Sequence, residues 1–150
     1  MDENMAAIKN AALAALASAG SILTNALGGW DAGLETLLAF MALDYATGLL
    51  VAGVFKRSGK SGDGALDSRS GFHGLCKKAA ALLCVLVAAR LDAFLGGEYA
   101  RTAMMMFFVG NEGLSILENL GLMGVPLPPA LKNALTALRD GKSAGGNGAK

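Results

Sequence analysis

Three ionisable residues stand in apolar surroundings: Asp44 within LLAFMALDYATGLL, Arg90 within CVLVAARLDAF and Glu112 within MMMFFVGNEGLSIL. A bare charge in hydrocarbon costs at least about 2.5–3.5 kcal/mol, so each must be paired, hydrated or protonated. Counted inward from the expected helix edges, Asp44 lies eleven residues from Gly33, Arg90 eleven from Ala79 and Glu112 ten from Thr102. At helical rise that is about 15–16 Å, which puts all three near the middle of a ~30 Å apolar slab. The expectation is that Arg90 bridges to Asp44 or Glu112, within one chain or between chains. The alternative is that helix tilt lets each charge reach the slab edge, or that the acids are neutral there.

A second pattern surrounds Glu112. Glu112, Ser115 and Asn119 are three and four residues apart, and Asn111 and Glu118 flank them, so the segment carries a polar stripe on an otherwise apolar helix. Gly110, Gly113, Gly121 and Gly124 allow close helix approach, as do Gly48 and Ala52 around the Asp44 turn. Such a stripe faces a partner helix or water. It is either polar glue in a static bundle or the wall of a pore.

Other chemistry finds little support. The run SGKSGDG at 58–64 looks like a phosphate-binding loop, but the spacing from Gly53 to Gly59 is one residue too long and no strand precedes it. Cys76 and Cys84 would sit about 12 Å apart along one helix, too far to bridge, and are expected as free thiols. With His73 the only histidine, no metal site and no Ser/His/Asp or Cys/His set is expected. The reading is therefore of a protein that is not an enzyme and takes no cofactor. A net charge of +1 and a pI near 7.8 give no nucleic-acid surface.

The elements that must position these residues follow from composition. Hydrophobic residues make up 53% and charged residues 17% of the 150, and mean hydropathy is +0.46, a balance that suits lipid. After an N-terminal segment 1–10, apolar segments at about 11–30, 33–55, 77–96 and 101–125 each approach the ~20 residues that cross a bilayer. The fold class expected is all-α: an integral membrane protein of three or four transmembrane helices within 11–139, a short cytoplasmic helix at 128–139 after Pro126, Pro128 and Pro129, and a flexible Gly-rich tail at 140–150.

The first segment is the one that leaves the number open. Leu13, Leu16, Leu23, Leu27 and Trp30 form one stripe, and Ala14, Ser18, Ser21 and Asn25 another. It could lie on the membrane, span it, or line water in an assembly. Residues 56–78 read as a Gly/Ser-rich loop with six Lys or Arg against two Asp, hence cytoplasmic. GGEYAR at 96–101 turns on the far side, so the C-terminus is cytoplasmic as well, as is the N-terminus if the first segment spans. The acids of MDENMAAIKN stand where a secretory signal has basic residues, and no cleavable signal is expected.

Three stretches together resemble a known family. LLAFMALDYATGLL at 37–50, SRSGFHGLCKKAA at 68–80 and NEGLSILENLGLMGVPLP at 111–128 are similar in order and spacing to the phage lysis and toxin-secretion holins of Gram-positive systems. The resemblance runs from about Gly29 to Leu138 and is most specific in its last piece. It implies a multi-pass protein of the bacterial host's cytoplasmic membrane that forms a homo-oligomer in the lipid bilayer and opens lesions, with an endolysin or a toxin as passing cargo. Asp44, Tyr45, Thr47, Gly48, Asn111, Glu112, Ser115, Glu118 and Asn119 match its motifs. Arg90 joins these pore and assembly residues from depth counting alone. The alternatives are a small proton-coupled transporter using Glu112 or Asp44, against which stands the lack of an internal repeat or aromatic cage, and a static membrane scaffold.

Overall fold

The computed structural model describes residues 2–58 and 67–140. Most of the SGKSGDG run and the Gly-rich tail beyond Asp140 lie outside the described residues. Five α-helices and no strand occur among the described residues: α1 (Asp2–Ala26), α2 (Ala32–Leu50), α3 (Ser68–Leu95), α4 (Tyr99–Leu122) and α5 (Pro129–Arg139). At its end α2 widens into a π-helical turn, Val51–Phe55, closed by Lys56 in the left-handed region at φ 49°. Glu3–Ala26 and Ala32–Phe55 are long and apolar enough to cross a membrane.

Local chemistry sets the helix ends. Asp31 caps α2 by accepting from the Leu34 amide at 2.8 Å. Asp67 caps α3 by accepting from the amides of Arg69 and Ser70 and from the Ser70 hydroxyl. The segment 56–78, expected as a loop, is therefore helical from Ser68 onward, because the Asp-Ser-Arg-Ser sequence supplies a cap. The first turn of α4 is capped from a distance, with Asp92 of α3 accepting from the amides of Ala100 at 2.9 Å and Arg101 at 2.7 Å. The first helix starts at Asp2 and stops at Ala26, short of the expected Trp30, because Gly28 and Gly29 take φ of 94° and 97°.

α2, α3 and α4 pack together around Leu34, Leu37, Met41, Ala81, Val85 and Met105, with Leu27 closing one end. After the turn at 123–128 the chain reverses, and α5 runs back along α4. A Cβ on Gly121 would lie 4.0 Å from Leu127, and one on Gly113 only 2.8 Å from Leu135 and 3.2 Å from Phe40. Glycine at 113 is thus what lets α5 and α2 approach α4 this closely. The helix expected at 128–139 accordingly lies against α4 up to the level of Gly113. By contrast α1 is exposed from residue 3 to residue 23.

The outward faces are rich in large apolar side chains, including Leu83, Val87, Phe94 and Leu95 on α3 and Met106 and Phe107 on α4. Phe94 is 85% exposed and Val87 66%, values that water would penalise and hydrocarbon would not.

Candidate functional site

The buried positions of α2 recur at Leu34, Leu37, Met41 and Asp44, a three-and-four spacing on one face. Asp44 therefore occupies a core position. On α3 the buried stripe is Ala81, Val85, Ala88 and Asp92, and Lys78 stands three residues before it on the same face. On α4, Met105, Glu112 and Asn119 are seven apart and all buried. These three faces meet, so packing of the apolar residues carries Asp44, Lys78 and Glu112 to one level.

There the Lys78 Nζ donates to Asp44 Oδ2 at 2.7 Å and also to Glu112 Oε2. The three side chains are 13%, 11% and 9% exposed, so they form a buried ion cluster. Asn119 extends it: its Nδ2 donates to Asp44 Oδ1 at 3.2 Å and to the Thr47 hydroxyl at 3.0 Å. Thr47 in turn donates to the Leu43 carbonyl at 2.8 Å. Among the described residues, no buried side-chain nitrogen or oxygen lacks a hydrogen-bond partner.

Beside the cluster lies a cavity of about 520 Å³. Asp44, Tyr45, Gly48, Ser115, Glu118 and Asn119 line it, so six of the residues singled out in the sequence surround one space. His73, Lys77 and Lys78 of α3 line it from across, with Asp67 at its end. Gly71 and Gly74 leave room for Tyr45, whose hydroxyl lies 3.6 Å from where a Cβ on Gly71 would be and whose ring lies 4.0 Å from one on Gly74. Asn111 is exposed and is not brought into the cluster.

Within one copy Arg90 does not bridge to Asp44 or Glu112. It lies twelve residues beyond Lys78, about 18 Å along α3, and five residues past Val85, roughly 140° away from the buried stripe. Its guanidinium donates instead to the carbonyls of Asn25 at 3.2 Å and Ala26 at 2.7 Å, satisfying the free end of α1. The helix that carries it begins at Ser68, eleven residues before Ala79, so Arg90 stands near the far end of α3 and Lys78 near its start.

A second polar cluster, not foreseen from the sequence, holds the opposite end of the bundle. Arg101 of α4 donates through Nε to the Leu27 carbonyl at 2.6 Å and through NH2 to the Gly29 carbonyl at 3.0 Å, and it pairs with Asp31. A Cβ on Gly28 would lie 2.7 Å from the Arg101 Nε, so that turn needs glycine for space as well as for φ. The Arg101 guanidinium beside Asp31 holds its carboxyl below the usual carboxylate range; desolvation opposes it, and the amides of Leu34 and Gly33 add to the lowering. Asp67, at the start of α3, is lowered likewise by the Ser70 hydroxyl and by the amides it caps.

The family model of the bacteriophage holin family matches residues 21–140. The chain belongs to that family. A 14.9 kDa protein encoded in the nagH 3' region of Clostridium perfringens is 41% identical over 129 residues, covering 85% of this chain and 92% of that one. A probable holin of Bacillus phage phi105 is 34% identical over 103 residues, 68% of this chain and 70% of the phage protein. The YqxH protein of Bacillus subtilis is 32% identical over 117 residues, 77% and 78% of the two chains. No solved structure matches. The holin-family match begins at Ser21, so it takes in α2 to α5, the ion cluster and the Arg101 cluster, and leaves most of α1 outside.

Proposed function

We propose that this holin-family chain acts as a holin in the strict sense: it accumulates in the cytoplasmic membrane of a bacterial host, oligomerises, and opens lesions through which an endolysin leaves, or in a related role a toxin. The observation that carries the reading is the buried Asp44–Lys78–Glu112 cluster, extended by Asn119, inside helices whose outer faces are apolar. A soluble helical protein seldom buries charged side chains while exposing this much large apolar surface. The kinship to a probable holin of phage phi105 supports the same assignment.

In the proposed membrane arrangement α2, α3 and α4 span, and α1 is a fourth span or an assembly arm. The Lys/Arg excess of 56–78 favours the cytoplasmic side for the start of α3 and for the turn between α4 and α5, with Lys78 reaching from there into the bundle. Each monomer covers Asp44, Glu112 and Asn119 within its own bundle. As copies accumulate, pairing between stripes of different copies competes with pairing inside one copy. Beyond a threshold, Asp44, Tyr45, Thr47, Gly48, Asn111, Glu112, Ser115, Glu118 and Asn119 come to line water, and a hole opens. Arg90, which closes the end of α1, acts in assembly by fixing where α1 leaves the bundle.

Inducible expression in a bacterial host tests this. The expected result is an abrupt halt in growth with release of a cytoplasmic enzyme into the medium. A transporter would change only small-solute uptake or resistance, and a scaffold would do neither. Glu112→Leu and Glu118→Leu are expected to alter the onset of release. Unchanged onset in both would remove the stripe from the mechanism.

A further inference from the structure

The lesion-forming reading leaves open what keeps the polar groups inward until the threshold. We infer that Lys78 sets the time of opening: its ammonium pairs an acid of α2 with an acid of α4 in the closed arrangement, and a charge of this cluster left unpaired begins the rearrangement. The inference rests on the proposed function and names the residue that regulates it.

Lys78 Nζ contacts one carboxylate from each of two parallel helices, Asp44 on α2 at 2.7 Å and Glu112 on α4. With both oxygens on one ammonium, the two acids are within a few ångströms of each other. Without the ammonium they would be like charges facing each other in a low-dielectric bundle, where each favours water or separation. The two acids are not held equally. Asp44 also accepts from Asn119, whereas the Lys78 ammonium is the one side-chain donor seen to reach the Glu112 carboxylate among the described residues. Lys78 and Asp44 line the 520 Å³ cavity, and Glu112, 7% exposed, is not among its lining residues. Lys78 thus stands between that space and Glu112. Displacing it joins Glu112 to the space and frees α4 to turn.

The neighbouring groups do not replace it. Lys77, His73 and Glu118 are exposed at the cavity wall, and Arg90 and Arg101 are engaged at the far end of the bundle. Among the described residues, Lys78 is therefore the cation buried between the two acids. Between copies, a carboxylate on a second chain becomes its competitor partner, which couples opening to the number of copies present.

The experiment is induced expression of the full chain, with the membrane level of protein recorded at the onset of enzyme release. Lys78→Met is expected to bring onset forward, at a membrane level several-fold below that of the wild type. Lys78→Arg, which keeps the charge, is expected to return onset close to wild type. The triple variant Lys78→Met, Asp44→Asn, Glu112→Gln removes the charges on both sides and is expected to open no earlier than wild type. Lys78→Met inserted at normal level with unchanged or delayed onset overturns the inference. If Lys78→Met fails to accumulate in the membrane, the pair Asp44→Asn, Glu112→Gln decides: it unties Lys78 from the other side, so early onset supports the role and unchanged onset overturns it. Wild-type expression without enzyme release overturns the lesion-forming reading, and this inference with it. Wild-type release with no effect of Lys78 overturns the timing role alone.

Discussion

Asn119 on α4 and Asp44 on α2 are joined across 3.2 Å, with the Asn119 amide donating to the Asp44 carboxylate and, one turn further along α2, to the Thr47 hydroxyl at 3.0 Å. The contact is buried, with both residues no more than 8% exposed. A neutral amide here secures the carboxylate without adding a charge to be desolvated.

Asn119→Leu should therefore destabilise the α2–α4 pair by about 1–3 kcal/mol, the usual cost of removing one partner from a buried polar contact. Thermal unfolding of the detergent-purified protein reads this. A change within about 0.5 kcal/mol, as at an ordinary surface site, would mean that the Asn119 contact contributes nothing to holding Asp44.

Arg101 fixes the turn between α1 and α2 by reaching two of its carbonyls, those of Leu27 and Gly29, together with the Asp31 carboxylate. Arg101→Ala leaves three acceptors without their donor and should cost about 2 kcal/mol or more. Arg101→Lys should recover little of that, because an ammonium has no planar fork to serve separate acceptors. Hydrogen exchange at residues 27–31 is the measurement. Faster exchange in both variants is expected, and protection restored by lysine would contradict the fork geometry.

Acid should loosen the same turn. The Asp31 carboxyl is held below its ordinary range in the folded chain, chiefly by Arg101, so its contribution to stability is complete at neutral pH. As pH falls through the ordinary carboxylate range that contribution begins to shrink, and it is lost once pH drops through the depressed value. Its side chain is 46% exposed, so solvent screening keeps the effect modest. Asp31→Asn should flatten the acid limb of a stability-against-pH curve in detergent. An identical acid limb in the variant would show that the pair does not couple to folding.

Much of the site was legible because helical periodicity is a local property. The polar stripe of Glu112, Ser115 and Asn119 and the core position of Asp44 follow from spacing alone, and the structure gathers Asp44, Tyr45, Gly48, Ser115, Glu118 and Asn119 around one cavity. A signal for Lys78 was also present: seven residues before Val85, it continues the stripe of Ala81, Val85 and Ala88. The Gly/Ser-rich, basic stretch before it masks that signal, because such a composition reads as loop. The Arg101 cluster carried no such signal, since its acceptors are backbone carbonyls and a carboxylate about 70 residues away in the chain.

The sequence by itself determined the all-helical character, the excess of apolar surface, the stripe of polar residues and the holin-family kinship, because each depends on residue type and on spacing within a single segment. Tertiary structure decided which cation meets which acid. Lys78 and not Arg90 reaches Asp44 and Glu112, since the rotation and starting point of α3 are fixed by an Asp67 cap and by the packing of Ala81 and Val85. It also decided that α5 lies along α4, where a glycine at 113 leaves space for Leu135. Ion pairing between helices depends on their relative depth and rotation to within an ångström or two, and those quantities arise only when the helices pack.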